Sequence, residues 1–157
     1  MATFKLFLTK NKRKMTSTNK PKTMFWVTAG VALIWNLMGV AAYLADAYAS
    51  PEMIAQRSAE VQALYDARPA WATAAFATAV FGGALGCILL LLRKKIATPV
   101  LIVSLIGILV QFCYNFFIAN TMDVYGPGSM IMPVMVIVIG AYLVWYARKC
   151  EANGVIG

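Results

Sequence analysis

The sequence predicts an all-α integral membrane protein, a four-helix bundle threaded up-down-up-down through a bilayer. Three observations carry that prediction. Four long apolar runs fill most of the 157 residues, and each is about the 20 residues that a helix rising 1.5 Å per residue needs to cross roughly 30 Å of hydrocarbon. Charge is scarce: 13% of the chain, against about a quarter in soluble domains. The charges that remain lie between the runs, with an excess of lysine and arginine on one side.

Residues 1–23 hold Lys5, Lys10, Lys12, Arg13, Lys14, Lys20 and Lys22 and show no apolar periodicity. This reads as a flexible basic arm at the anionic inner leaflet. Met15 and Met24 are further candidate starts. The first span is 24–45. Ala47-Tyr48-Ala49 has the form of a signal-peptide cleavage site, but the preceding run is too long for a signal core and Asn36 interrupts it, so the span is expected to be retained.

Ser50-Pro51-Glu52 then offers an N-cap, a proline at the first helical position and an acid in the first turn. An amphipathic helix over 51–66 is expected, with Met53, Ile54, Val61, Leu64 and Tyr65 on one arc and Arg57 snorkelling from within it. It would serve as a connector on the helix ends, the alternative being a lid over a cavity. Arg68-Pro69 ends it. The remaining spans are 70–92, 98–119 and 128–147, within a transmembrane domain of 24–149. Tyr125-Gly126-Pro127-Gly128 predicts a tight turn before the last span, and 150–157 a short tail.

Arg93, Lys94, Lys95, Arg148 and Lys149 join the basic arm on one side; the other two loops hold Arg57 and Arg68 against five acids. Both termini are therefore expected in the cytoplasm. The net charge of +8 is explained by this topology and not by nucleic acid. Membrane lipids are the partners implied, with a membrane-protein partner or a homo-oligomer beside them. There is no histidine, no metal-ligand spacing links the acids, and no cofactor motif is present. The spans hold no acid, Lys, Arg or His in their interiors, which disfavours ion pumping. Cys87, Cys113 and Cys150 read as thiols, not as a disulfide framework.

Amides and hydroxyls in hydrocarbon should turn toward the bundle interior. Ser104, Gly107, Gln111, Tyr114 and Asn115 share one face of the third span; Asn36, Gly39 and Tyr43 share one face of the first. A hydrogen bond from Asn36 to Gln111 or Asn115 is expected near the midplane. This cluster, with Trp35 and Tyr114 as aromatic walls, is the candidate solute site; the competing reading is an amide network that fixes helix register. Gly82 and Gly86 form a small-xxx-small stripe with Ala75, Thr78 and Ala79, expected to pack within one chain. Gly140 lies on a similar stripe with Ser129, Pro133 and Val136.

Several strings are familiar together: Trp35-Asn36-Leu37-Met38-Gly39 with Tyr43-Leu44, Pro69-Ala70-Trp71, Phe81-Gly82-Gly83, Leu89–Leu92 before Arg93-Lys94-Lys95, Tyr114-Asn115, and Tyr125-Gly126-Pro127-Gly128 with Pro133. From Met24 to Lys149 the chain resembles a family of small four-span bacterial membrane proteins without an assigned activity, sometimes labelled sugar transporters. The resemblance implies a bacterial inner membrane. The function expected is that of a non-enzymatic accessory or interaction protein. The alternative is a small-solute transporter or channel, working as an oligomer.

Overall fold

The computed structural model describes residues 19–157, so the basic arm lies, but for its last few residues, outside the described part. Four helices are long and apolar enough to cross a membrane. They run Thr23–Ala47, Ala70–Leu91, Ala97–Ile118 and Pro127–Ala152, and their α-helical parts are α1 (Thr23–Ala47), α4 (Ala70–Leu91), α5 (Ala97–Cys113) and α7 (Ile131–Ala152). Between them lie the short helices α2 (Pro51–Ala55), α3 (Ala59–Asp66) and α6 (Thr121–Tyr125). No strand occurs among the described residues. This is the architecture of a multi-pass membrane protein.

Small residues set how the spans meet. A Cβ on Gly107 would lie 3.0 Å from the Ala75 carbonyl and the Ala79 nitrogen; one on Gly82 would lie 3.2 Å from Ser104, and one on Gly86 would press into Leu101. These contacts climb α4 as they descend α5, so the two helices are antiparallel and nearly touch backbone to backbone. Gly39 on Val80 and Gly83 on Asn36 do the same for α1 and α4, and Gly140 meets Ile108 and Leu105 across α5 and α7. The order of packing is α1, α4, α5, α7.

The row closes into a bundle at one end only. At the pole that carries Arg93–Lys95, the buried Phe25, Ala29 and Ala32 of α1 share a core with Leu143, Val144 and Ala147 of α7. Phe25 stacks on Tyr146 with ring centroids 6.5 Å apart. At the other pole, which carries α2, α3 and α6, α1 and α7 diverge around a cavity.

The expected single helix over 51–66 is two. Ser58 accepts from the Val61 amide just as Ser50 accepts from Met53, and Glu60 repeats the acidic first turn of Glu52. The second cap starts a second helix and releases Arg57 at the break. Arg57 does not snorkel. It donates to Asp46 at 3.4 Å, while Arg68 donates to the same carboxylate at 2.9 Å. Both guanidinium groups lie over the Tyr65 ring, Arg57 at 3.9 Å and Arg68 at 4.4 Å from its centroid. Burial, and then the neighbouring Asp46 carboxylate, pushes the Tyr65 phenol above its ordinary value. This cluster fixes α3 to the ends of α1 and α4, and no residue of α2 or α3 lines the cavity.

The expected tight turn before the last span is also more helical. Asn120 at φ 46° and Gly126 at φ 76° bracket the single turn of α6, and Pro127 opens a 3-10 turn leading into α7. The last span outruns its expected end at residue 147 and reaches Ala152. Its tail is docked, not loose. Gly154 takes φ 65°, and the Val155 amide donates back to Cys150 at 2.8 Å, which is a Schellman ending. Ile156 is buried.

The end of α4 has the same ending with Arg93 at φ 57° where glycine is usual. The Arg93 side chain donates to Val155 at 2.8 Å and to Asn19 at 3.1 Å. Lys95 pairs with Glu151 at 3.2 Å, and Thr98 donates to the same carboxylate at 3.1 Å. The tail is thereby strapped to the turn between α4 and α5.

Candidate intramembrane cleft

The cavity between the diverging helices holds about 440 Å³, within the range of small-molecule sites. Its α1 wall is Trp35, Asn36, Met38, Gly39 and Ala42, residues that helical spacing places on one side. Phe76, Ala79 and Val80 of α4 form the floor. Ile108, Gln111, Phe112 and Asn115 come from α5, and Met132, Pro133 and Val136 from α7. Met38, Ala42 and Met132 at the rim are exposed. These rim residues belong to α1 and α7, the two ends of the packed row, so the cavity opens between those helices.

Asn36 marks where the closed half ends. Its amide donates to the Ala32 carbonyl of its own helix at 2.8 Å and to the Cys87 sulfur at 3.5 Å. Gly83 makes room for it: a Cβ there would collide with Asn36 Oδ1 and lie 3.2 Å from Ser104 Oγ. The expected bond to Gln111 or Asn115 is absent. The physical reason is packing order, since α4 stands between α1 and α5 and its glycine stripe receives the amide first. Ser104, expected in the polar cluster, instead donates to the Ala79 carbonyl at 2.6 Å and closes the α4–α5 seam.

Gln111 and Asn115 do face the cleft together. The Gln111 amide donates to Asn115 Oδ1 at 3.4 Å, one turn along the same helix. Gln111 Oε1 is buried and has no donor, an unfavourable state for an amide oxygen away from water. None of the lining residues is ionisable.

Two residues expected in the site stand outside it. Tyr114 is buried against Trp71, edge to face at 5.3 Å, and Tyr43 packs between Phe76 and Phe81 at 5.4 and 5.6 Å. Tyr114 opens a five-residue π-helical turn, Tyr114–Ile118, in which the Ala119 amide reaches back to the Tyr114 carbonyl at 2.9 Å. Thr121 donates to the Asn115 carbonyl at 3.1 Å. The aromatic walls are thus Trp35, Phe76 and Phe112. The last two carried no signal in the sequence, where a phenylalanine in an apolar span looks the same whether it faces a cavity, a neighbour or lipid.

The glycines expected at helix contacts divide between seam and cleft. Gly82, Gly86, Gly107 and Gly140 lie at contacts between spans, and Gly39 both touches Val80 and lines the cavity. The three thiols are free, with Cys87 and Cys150 buried and Cys113 exposed on α5. Among the described residues no three His, Cys, Asp or Glu side chains converge on a common point.

Fold and cleft together define a four-span membrane protein with a neutral cavity opening between its first and last spans. Comparison with protein-family models, with curated proteins and with solved structures gave no match.

Proposed function

We propose that this chain is a non-enzymatic accessory protein of a bacterial inner membrane, which acts by holding a membrane-embedded guest in the α1–α7 cleft. The observation that carries this reading is which lining residues are exposed. Met38, Ala42 and Met132 are apolar, exposed and carried by the first and last spans, which supports entry of a guest from lipid between those two spans. A hydrophilic solute such as a sugar would need a hydrogen-bond partner for each hydroxyl. The cleft offers three amides, and Asn36 and Gln111 already spend donors within the protein. Transport by an oligomer is therefore the weaker reading.

The distribution of Lys and Arg supports an orientation with both termini in the cytoplasm and the α2, α3 and α6 pole outside. The resemblance noted in the sequence supports the bacterial location.

Photo-crosslinking in intact membranes tests the proposal. A photoreactive residue at Ala42, on the mouth, is expected to give a defined adduct with one species. The same residue at Val31, an exposed α1 position away from the cleft, should give only diffuse bulk-lipid products. Identical diffuse patterns at both positions would refute the proposal.

A further inference from the structure

The cleft's own chemistry narrows the guest, given the reading above that a guest enters from lipid. We infer that the cleft binds a neutral, single-chain amphiphile whose head carries a hydrogen-bond donor, of the chemical class of a long-chain alcohol, with that donor directed at Gln111 Oε1.

Four observations converge on that class. The first is charge. No ionisable side chain lines the cavity, and the arginines nearest its pole, Arg57 and Arg68, are both committed to Asp46. A phosphate or carboxylate head would enter with no counter-charge, at a cost of several kcal/mol or more in low dielectric.

The second is the unmatched acceptor. Gln111 donates through Nε2 but leaves Oε1 without a partner. Oε1 is enclosed as the amide stands; the terminal torsion of a glutamine is broad, and a turn that brings Oε1 to the cleft gives up the long 3.4 Å bond from Nε2 to Asn115 in exchange for the guest's donor. A guest that supplies a donor satisfies it, and a pure hydrocarbon does not.

The third is size. At about 440 Å³ the cavity is in the range of sites that hold small molecules. The fourth is the surface offered to the guest's chain. Ala79, Val80, Ile108, Phe112 and Val136 are all apolar, and Met38 and Met132 at the rim have unbranched side chains that adjust to an irregular guest.

Trp35 lines the same wall and supplies the readout. A chain carrying Trp26→Phe, Trp71→Phe and Trp145→Phe keeps Trp35 as its one indole. It would be placed in lipid nanodiscs and titrated with a terminally brominated long-chain alcohol, and separately with the matching bromoalkane.

The expected result is saturable quenching by the alcohol at concentrations about three- to tenfold below those at which the alkane quenches, the span of one intramembrane hydrogen bond. Gln111→Leu should erase that preference while retaining the shared apolar component. Ala42→Phe, which places a ring across the mouth at an exposed position, should weaken quenching by both probes, and because it leaves the buried contacts alone it serves as the second variant should Gln111→Leu fold poorly. Equal quenching by alcohol and alkane, or a preference that survives Gln111→Leu, would overturn the inference.

A crosslink from position 42 to a protein, or to a second copy of this chain, together with no alcohol preference, would overturn the inference and leave the guest-holding role standing. Diffuse products at position 42 would remove the role itself.

Discussion

The two halves of this bundle are made of the same helices and differ in what stands between α1 and α7. Toward the Arg93 pole the facing residues are Ala29, Ala32 and Ala147 with Leu143 and Phe25, and the helices close around a shared core. Toward the other pole the facing residues are Trp35, Gly39 and Ala42 against Met132, Pro133 and Val136, and the helices part. In lipid no hydrophobic force drives helices together, so close fit of small side chains decides where they touch. The comparison teaches that the closed half is the stabilising half, and the open half is free to carry function.

The sharpest way to break this contrast is one substitution made twice on the same helix. Ala29 has no exposed surface, so Ala29→Leu should overpack the closed half and cost about 2–3 kcal/mol. Ala42→Leu, at the open rim, should stay within about 0.5 kcal/mol of the parent. Unfolding in mixed detergent micelles measures both, and equal costs would dissolve the distinction between halves.

The boundary comes next. Gly83→Ala forces Asn36 out of its pocket against α4 and should cost about 1–2 kcal/mol. Adding Asn36→Ala should return part of that loss, because the clash goes with the amide; the coupling in a double-mutant cycle is the test.

A smaller effect is expected at the strapped pole. Arg93→Gly loses two side-chain hydrogen bonds but relieves a left-handed backbone, whereas Arg93→Ala loses the bonds and keeps the strain. Arg93→Ala should be the less stable of the two by about 1 kcal/mol.

The smallest effect lies at the far pole and depends on pH. Tyr65 keeps its proton to higher pH in the folded chain than in the unfolded one. Its contribution is therefore full below about pH 10, the ordinary phenol value, and is lost as pH rises through the raised folded value. A Tyr65→Phe chain should show a shallower alkaline decline in melting temperature, and identical declines would assign the loss elsewhere.

Much of this fold was legible because the bilayer imposes simple rules. Run lengths and charge positions gave the four spans to within a few residues, apart from the extra turn of α7 past Ala147. The placement of Asn36, Gln111 and Asn115 toward the interior followed from the unfavourable burial of amides in lipid. Their pairing did not follow, since that depends on which helix lies between which.

Tyr114 and Tyr43 fall outside the expected site for a related reason. Helical spacing assigns a residue to a side but not to a neighbour, and the π-helical turn at Tyr114 departs from that spacing altogether. Ser58, by contrast, was a readable signal. A serine two residues before a glutamate marks a helix start, although the apolar arc runs past it on both sides.

The strap at the Arg93 pole turns the last span into a lever. The segment from Asn153 to Gly157 is tied to Arg93 and Lys95, so the fulcrum of α7 sits at the end remote from the cleft. A helix of 22 residues is about 33 Å long, and each degree of tilt about that fulcrum shifts its free end by about 0.6 Å. Three degrees moves that end by about 1.8 Å, roughly half the contact distance between two carbon atoms, so a small tilt of α7 is felt at the mouth.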